Sequence, residues 1–151
     1  NDDLSDADCH LLASFVDPSL FKASKNPLLW HPLTEWIEGL IPEGRSNFTF
    51  VGGGITVTNS SLCLAYTMGY REFHVHGMDS SHREGKKHVA ACTEADGLAV
   101  VVEENGKTYA TTYDMKQQVV VFREIRKQLM DAGCVVKVYG SGLLPDMFKA
   151  N

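Results

Sequence analysis

Residues 48–76 read FTFVGGGITVTNSSLCLAYTMGYREFHVH, and the order of patterns inside that stretch decides the fold class. Phe48 to Val51 is a short β-prone run, and Gly52-Gly53-Gly54 follows as a turn. From about Thr56 to Met68, Leu62, Ala65, Tyr66 and Met68 recur near helical spacing, and Gly69 stands where a helix commonly ends in the left-handed conformation. Glu72 to His76 then reads as a second strand. Strand, glycine turn, helix and strand within one sheet make a right-handed parallel crossover.

Working outward, Cys9 to Phe15 predicts a strand closed by Asp17-Pro18, with a short helix around Ser19 to Ala23. Pro27 to His31 is a short extended piece, and Thr34 to Ile41 places Trp36, Ile37, Leu40 and Ile41 on one helical face before Pro42-Glu43-Gly44. Beyond His76, the long polar segment from Gly77 to about Ala91 reads as a loop. Leu98 to Glu103 and Lys107 to Thr112 flank Glu104-Asn105-Gly106, a strong hairpin signal. Asp114 and Gln117 form a D-x-x-Q variant of the capping box, and Val121, Phe122, Ile125 and Leu129 line a helix that Gly133 ends. Cys134 to Tyr139 reads as a buried parallel strand, turned by Gly140-Ser141-Gly142 toward Leu143 and Leu144. The class is α/β: a mostly parallel sheet with flanking helices and an antiparallel hairpin insertion, in a single domain.

The chain has 151 residues, 14 Lys+Arg against 19 Asp+Glu, and a net charge of −5. A chain this long can bury roughly two thirds of its unfolded surface, so neither metal nor disulfides are needed to hold it folded. With 44% hydrophobic and 22% charged residues it is an ordinary globular composition rather than a disordered or fibrous one. The acidic balance and the lack of a basic stripe exclude a nucleic-acid partner. No apolar run is long enough for a membrane span, so a membrane is excluded too. Cys9, Cys63, Cys92 and Cys134 are irregularly spaced without CxxC, which fits a reducing cytoplasm. The sequons at Asn47 and Asn59 carry no weight there.

Two clusters could carry chemistry. The Gly52, Gly53, Gly54 turn would bring backbone N–H groups and a helix N-terminus to an anion such as phosphate, with Thr56, Thr58, Asn59 and Ser60 as added donors. In open α/β sheets ligands sit outside the carboxyl ends of the strands, where this turn and the loop after Gly77 both fall. The second cluster is His74-Val75-His76-Gly77-Met78-Asp79-Ser80-Ser81-His82. His74 and His76 share one strand face, yet Asp79 comes one residue later than the metal pattern H-x-H-x-D-H requires, so one histidine is expected in the core and the other near a pocket. Asp79, directly after the strand, could hold Mg²⁺ bridged to phosphates, and His88 could act as a general base. Gly140-Ser141-Gly142 lacks the G-x-S-x-G pattern, so a serine hydrolase is rejected.

Val51 to Val57, the helix end Ala65 to Tyr70, Phe73 to Ser81 with the later His88, and the closing Gly133 to Pro145 closely resemble the 6-hydroxymethylpterin diphosphokinase MptE-like family, as do Leu11 to Ser14 and Trp30-His31. The resemblance spans most of the chain and implies a Rossmann-like transferase. Members of that family transfer pyrophosphate from ATP to a pterin alcohol with Mg²⁺, and flagellar relatives look like transferases of nonulosonic sugars from activated nucleotides. By resemblance, Gly52 to Gly54 and Thr56 would line the phosphate or sugar pocket, with Asn59, Ser80 and Ser81 beside it. Asp79 would contact Mg²⁺ or the donor, and His88 would be the base. Members usually begin with a strand and a G-P-S-L turn, whereas Asp17-Pro18-Ser19-Leu20 follows a different strand here. The front of the family fold is therefore expected to be missing, leaving a sheet edge that a second copy could cover. The expected function is a nucleotide-dependent transferase acting on a small-molecule acceptor, with a sugar transferase and a non-catalytic binding or assembly module as the alternatives.

Overall fold

A computed structural model describes residues 9–34, 50–54, 56–82 and 99–149. The chain divides into two units, Asn1–Gly52 and Gly53–Asn151. The helix expected over Thr34 to Ile41 lies outside the described residues, as do His88 and Cys92.

In the first unit, β1 (His10–Ala13), α1 (Pro18–Ala23) and β2 (Pro27–Pro32) form a parallel crossover, with His10 opposite Pro27 and Ala13 opposite Trp30. Asp17 opens α1 by accepting the Ser19 N–H at 2.8 Å, and Pro18 sits in the first turn where its missing N–H costs nothing. The helix stops at Ser24, whose N–H and hydroxyl both donate to the Leu20 carbonyl. β3 (Phe50–Val51) lies parallel on the other side of β2, and the ladder continues through Leu33 N–H to Val51 O at 2.9 Å. Leu28 and Leu29 are successive residues of β2, so they point to opposite faces, and both are exposed.

The second unit holds the main core. β4 (Glu72–Val75) and β7 (Val135–Val138) pair parallel, Glu72 opposite Val135 and Val75 opposite Val138. Between them the chain makes β5 (Ala99–Glu104), β6 (Lys107–Thr112) and α3 (Tyr113–Asp131), while α2 (Val57–Thr67) precedes β4 and α4 (Leu143–Phe148) follows β7. Phe73, Val75, Val136 and Val138 from the sheet cluster with Val119, Phe122, Ile125 and Leu129 of α3 and Leu143 and Leu144 of α4. Phe122 and Leu144 are fully buried. The expected hairpin insertion is thus the antiparallel part of the β4-to-β7 crossover. Its two-residue loop has both Asn105 and Gly106 at positive φ, 51° and 73°, the type I′ geometry that matches strand twist. Asp146 of α4 fastens the hairpin, accepting from the Tyr109 hydroxyl at 2.6 Å and from Lys107 Nζ at 2.8 Å. Those two bonds hold the Asp146 carboxyl below its ordinary range, and burial first, then Asp146, pushes the Tyr109 phenol up to about 12. A lowered carboxyl stabilises above its unfolded value, so the tie weakens as pH falls through the lowered Asp146 value. A raised phenol gives the opposite sign: its contribution is lost as pH climbs from the unfolded value near ~10 toward the folded one.

Within the first unit β3 pairs with β2 and within the second β4 pairs with β7, and the parallel crossovers of the two units lie at β1–α1–β2 and at β4 to β7. Two expectations are corrected. The cap of α3 is Thr112, whose hydroxyl accepts the Met115 N–H at 3.2 Å; Asp114 lies inside the first turn, where its charge faces the positive helix end. The hairpin ends in register at Thr112, so the helix starts earlier than the Asp114 pattern suggests. Finally, Cys134, Val136 and Val138 are buried but Val135, Lys137 and Tyr139 are exposed, so β7 is buried on one face only. No helix among the described residues is long and apolar enough to cross a membrane. Cys9, Cys63 and Cys134 are free thiols, and burial pushes the Cys63 thiol up.

If Thr112 is the cap, Thr112→Ala should destabilise the fold by about 1 kcal/mol in urea unfolding. Asp114→Ala should cost only a few tenths, about the size of one exposed dipole interaction.

Candidate functional site

The second unit gathers polar side chains where α2 begins and β4 ends. Thr56 caps α2, and its hydroxyl accepts the Asn59 N–H at 3.4 Å, a long bond. Gly53 precedes this turn at φ +136°, and a Cβ there would meet the Ser60 Cα at 2.3 Å and the Ser60 N at 2.5 Å. Gly53 is therefore required twice, for its backbone angle and for close approach to the helix. Gly54, at φ +70°, packs on Val121 of α3, where a Cβ would lie 3.0 Å from a methyl group. Gly52 differs: it closes the first unit and has open space at its Cβ position.

The strand end supplies the other half. Ser80 is buried at φ +51°, an uncommon angle for a residue with a side chain. Its carbonyl accepts from the fully buried Thr111 hydroxyl at 2.9 Å, and its own hydroxyl donates to Gln118 Oε1 at 2.9 Å. Gln118 then joins the two halves. Its Nε2 donates to the Thr56 hydroxyl at 3.5 Å, at the limit for such a bond, and its backbone carbonyl accepts from Asn59 Nδ2 at 3.2 Å. Asn59 is fully buried, and its Oδ1 has no partner among the described residues. A buried acceptor left unpaired costs about 1–3 kcal/mol, which makes this atom an open valence at the head of α2.

Asp79 and Ser81 meet the turn after β7. The Asp79 carbonyl accepts the Leu144 N–H at 3.2 Å, and the Ser81 hydroxyl accepts the Leu143 N–H at 3.1 Å, so this loop satisfies the start of α4. Gly142, at φ +134°, would place a Cβ 2.7 Å from the Asp79 carbonyl oxygen, and a Cβ at Gly140 would lie 3.5 Å from Asp79 Oδ1. Asp79 is half-buried.

Of the residues singled out from the sequence, Thr56, Asn59 and Ser80 converge on Gln118 and Gly53 packs on Ser60, while Asp79 and Ser81 converge on the Gly140–Gly142 turn. The histidine expectation is corrected: His74 and His76 are both exposed on the outer face of β4, and neither is a core residue. No group of three or more His, Cys, Asp or Glu among the described residues is placed to hold a metal. Gln118 and Thr111 were missed. The signal was available, because Gln118, Phe122, Ile125 and Leu129 follow helical spacing and a glutamine heading a buried stripe needs a polar partner.

Gly53→Ala should destabilise by several kcal/mol, since the added methyl group meets backbone rather than a movable side chain, and Gly52→Ala should fold normally; paired thermal melts measure both. In comparisons with known proteins, the chain matches no family model, no curated protein and no solved structure.

Proposed function

We propose that this chain is a cytoplasmic, Rossmann-like, nucleotide-dependent transferase resembling 6-hydroxymethylpterin diphosphokinase. The observation that carries the reading is the meeting of the first turn of α2, through Thr56 and Asn59, with Ser80 from the loop at the carboxyl end of β4. Ligands in α/β folds sit outside strand carboxyl ends, and a helix N-terminus favours their phosphates.

The fit to Mg²⁺ is of one kind only. A magnesium–nucleotide complex needs one or two carboxylates and takes its other ligands from phosphate and water, which the lone Asp79 matches; a cage made by protein side chains alone would need more. When bound, Mg²⁺ would neutralise phosphate charge. Asp79 would hold and orient that complex, while the turn at Gly53 and Gly54 keeps the head of α2 in place. One observation favours a non-catalytic binding module instead: the Ser80, Thr56 and Asn59 groups expected to meet a ligand already bond one another through Gln118.

Calorimetric titration with ATP, CTP and CMP, each with and without Mg²⁺ and reaching millimolar concentrations, separates the readings. Mg²⁺-dependent ATP binding that Asp79→Ala weakens about tenfold or more supports the diphosphokinase-like reading. Cytidine-selective binding points to the sugar transferase, and no binding of any nucleotide overturns both.

A further inference from the structure

The outer face of β4 and β7 carries a second constellation, separate from the Gln118 cluster. Residues two apart on a strand share a face, so Glu72, His74 and His76 line up on β4 and its continuation, beside Lys137 of β7 and Tyr139 just after it. Glu72 Oε1 lies 3.0 Å from His74 Nε2 and 2.8 Å from Lys137 Nζ. His74 Nδ1 lies 2.9 Å from the Tyr139 hydroxyl. The His76 ring stacks on the Tyr139 ring, 4.4 Å between centroids and 3° from parallel.

Hydrogen-bond chemistry fixes the direction of this chain. The Lys137 bond first, and the His74 bond after it, hold the Glu72 carboxyl below its ordinary range, so Glu72 is an acceptor only. In the neutral imidazole, Nε2 must then bear the hydrogen, which leaves Nδ1 with the lone pair and makes the Tyr139 hydroxyl the donor. A hydroxyl donating to an imidazole whose far nitrogen is held by a carboxylate is the arrangement by which weak oxygen nucleophiles are activated.

We infer that Glu72, His74 and Tyr139 form a carboxylate–imidazole–phenol triad that makes the Tyr139 oxygen a nucleophile toward acyl or phosphoryl esters. In that step Tyr139 Oη bonds the electrophilic carbon or phosphorus and the bond to the leaving group breaks. The phenol proton passes to His74 Nδ1, Glu72 stabilises the imidazolium, and the proton then goes to the leaving group. Stacking on His76 holds the phenol ring in line. Tyr139 is reachable, being 36% exposed, and it precedes Gly140, which faces Asp79 at the same carboxyl end of the sheet. The inference stands independently of the nucleotide reading, because it concerns different residues and a reactivity that needs no nucleotide.

N-acetylimidazole tests it on the whole chain, with modified tyrosines located by peptide mass spectrometry. Tyr70 and Tyr113 are internal controls, since they are more open, at 60% and 61% exposure. Accessibility alone makes Tyr139 the slowest of the three. The triad makes it the fastest, by ~10-fold or more, a threshold below the roughly hundredfold that a positioned base contributes. His74→Gln should return Tyr139 to below the controls, and Glu72→Gln should lower it partway. A Tyr139 rate at or below the controls in the wild-type chain overturns the inference, as does a fast rate that His74→Gln leaves unchanged.

Discussion

The second unit depends on the burial of one face of α3. Val119, Phe122, Ile125 and Leu129 pack with the inward residues of β4 and β7, and this sets both the height and the rotation of the helix. Once that face is fixed, Gln118, four residues before Phe122, is carried to its half-buried edge. Its side-chain amide is bonded at both ends, to Ser80 through Oε1 and to Thr56 through Nε2, while Asn59 donates to its backbone carbonyl. Hydrophobic burial thus does the positioning, and the polar network selects which loop conformations the core will accept. The left-handed Ser80 is held from both sides, its hydroxyl by Gln118 and its carbonyl by Thr111.

The sequence is most informative where a local rule and the tertiary structure agree. Asp17-Pro18 starts a helix, Asn105-Gly106 turns a hairpin, and Gly69 and Gly133 end helices at positive φ, because each depends only on near neighbours. The alternation of Phe73 and Val75 with Glu72 and His74 likewise marks β4 as half-buried. Where it misled, a nonlocal constraint won. Asp114-x-x-Gln117 satisfies a capping pattern, but the hairpin register delivers Thr112 to the helix start first. The run Cys134 to Tyr139 is mostly apolar and reads as buried, yet its pairing with β4 turns Val135, Lys137 and Tyr139 outward.

Site residues were legible in part, and for a physical reason. Short polar residues beside glycines at a strand-to-helix turn announce themselves by composition, and Thr56, Asn59 and Ser80 do meet, through Gln118. What composition cannot give is whether such groups face a ligand or one another. The bonds through Gln118 decide that for most of their atoms and leave Asn59 Oδ1 open. The row on the outer face was half visible, since the spacing of His74 and His76 put them together, but their partners Tyr139 and Lys137 come from a strand more than sixty residues away.

The claim that the core of α3 and the Gln118 bonds lock the head of α2 into one cooperative body is tested most directly by native-state hydrogen exchange. The account predicts that the Ser60 amide, bonded to the Thr56 carbonyl, opens with a free energy within about 1 kcal/mol of the Phe122 amide, because both are released by the same global event. A Ser60 amide that exchanges through an opening several kcal/mol smaller would contradict it, since the first turn of α2 would then move independently of the core.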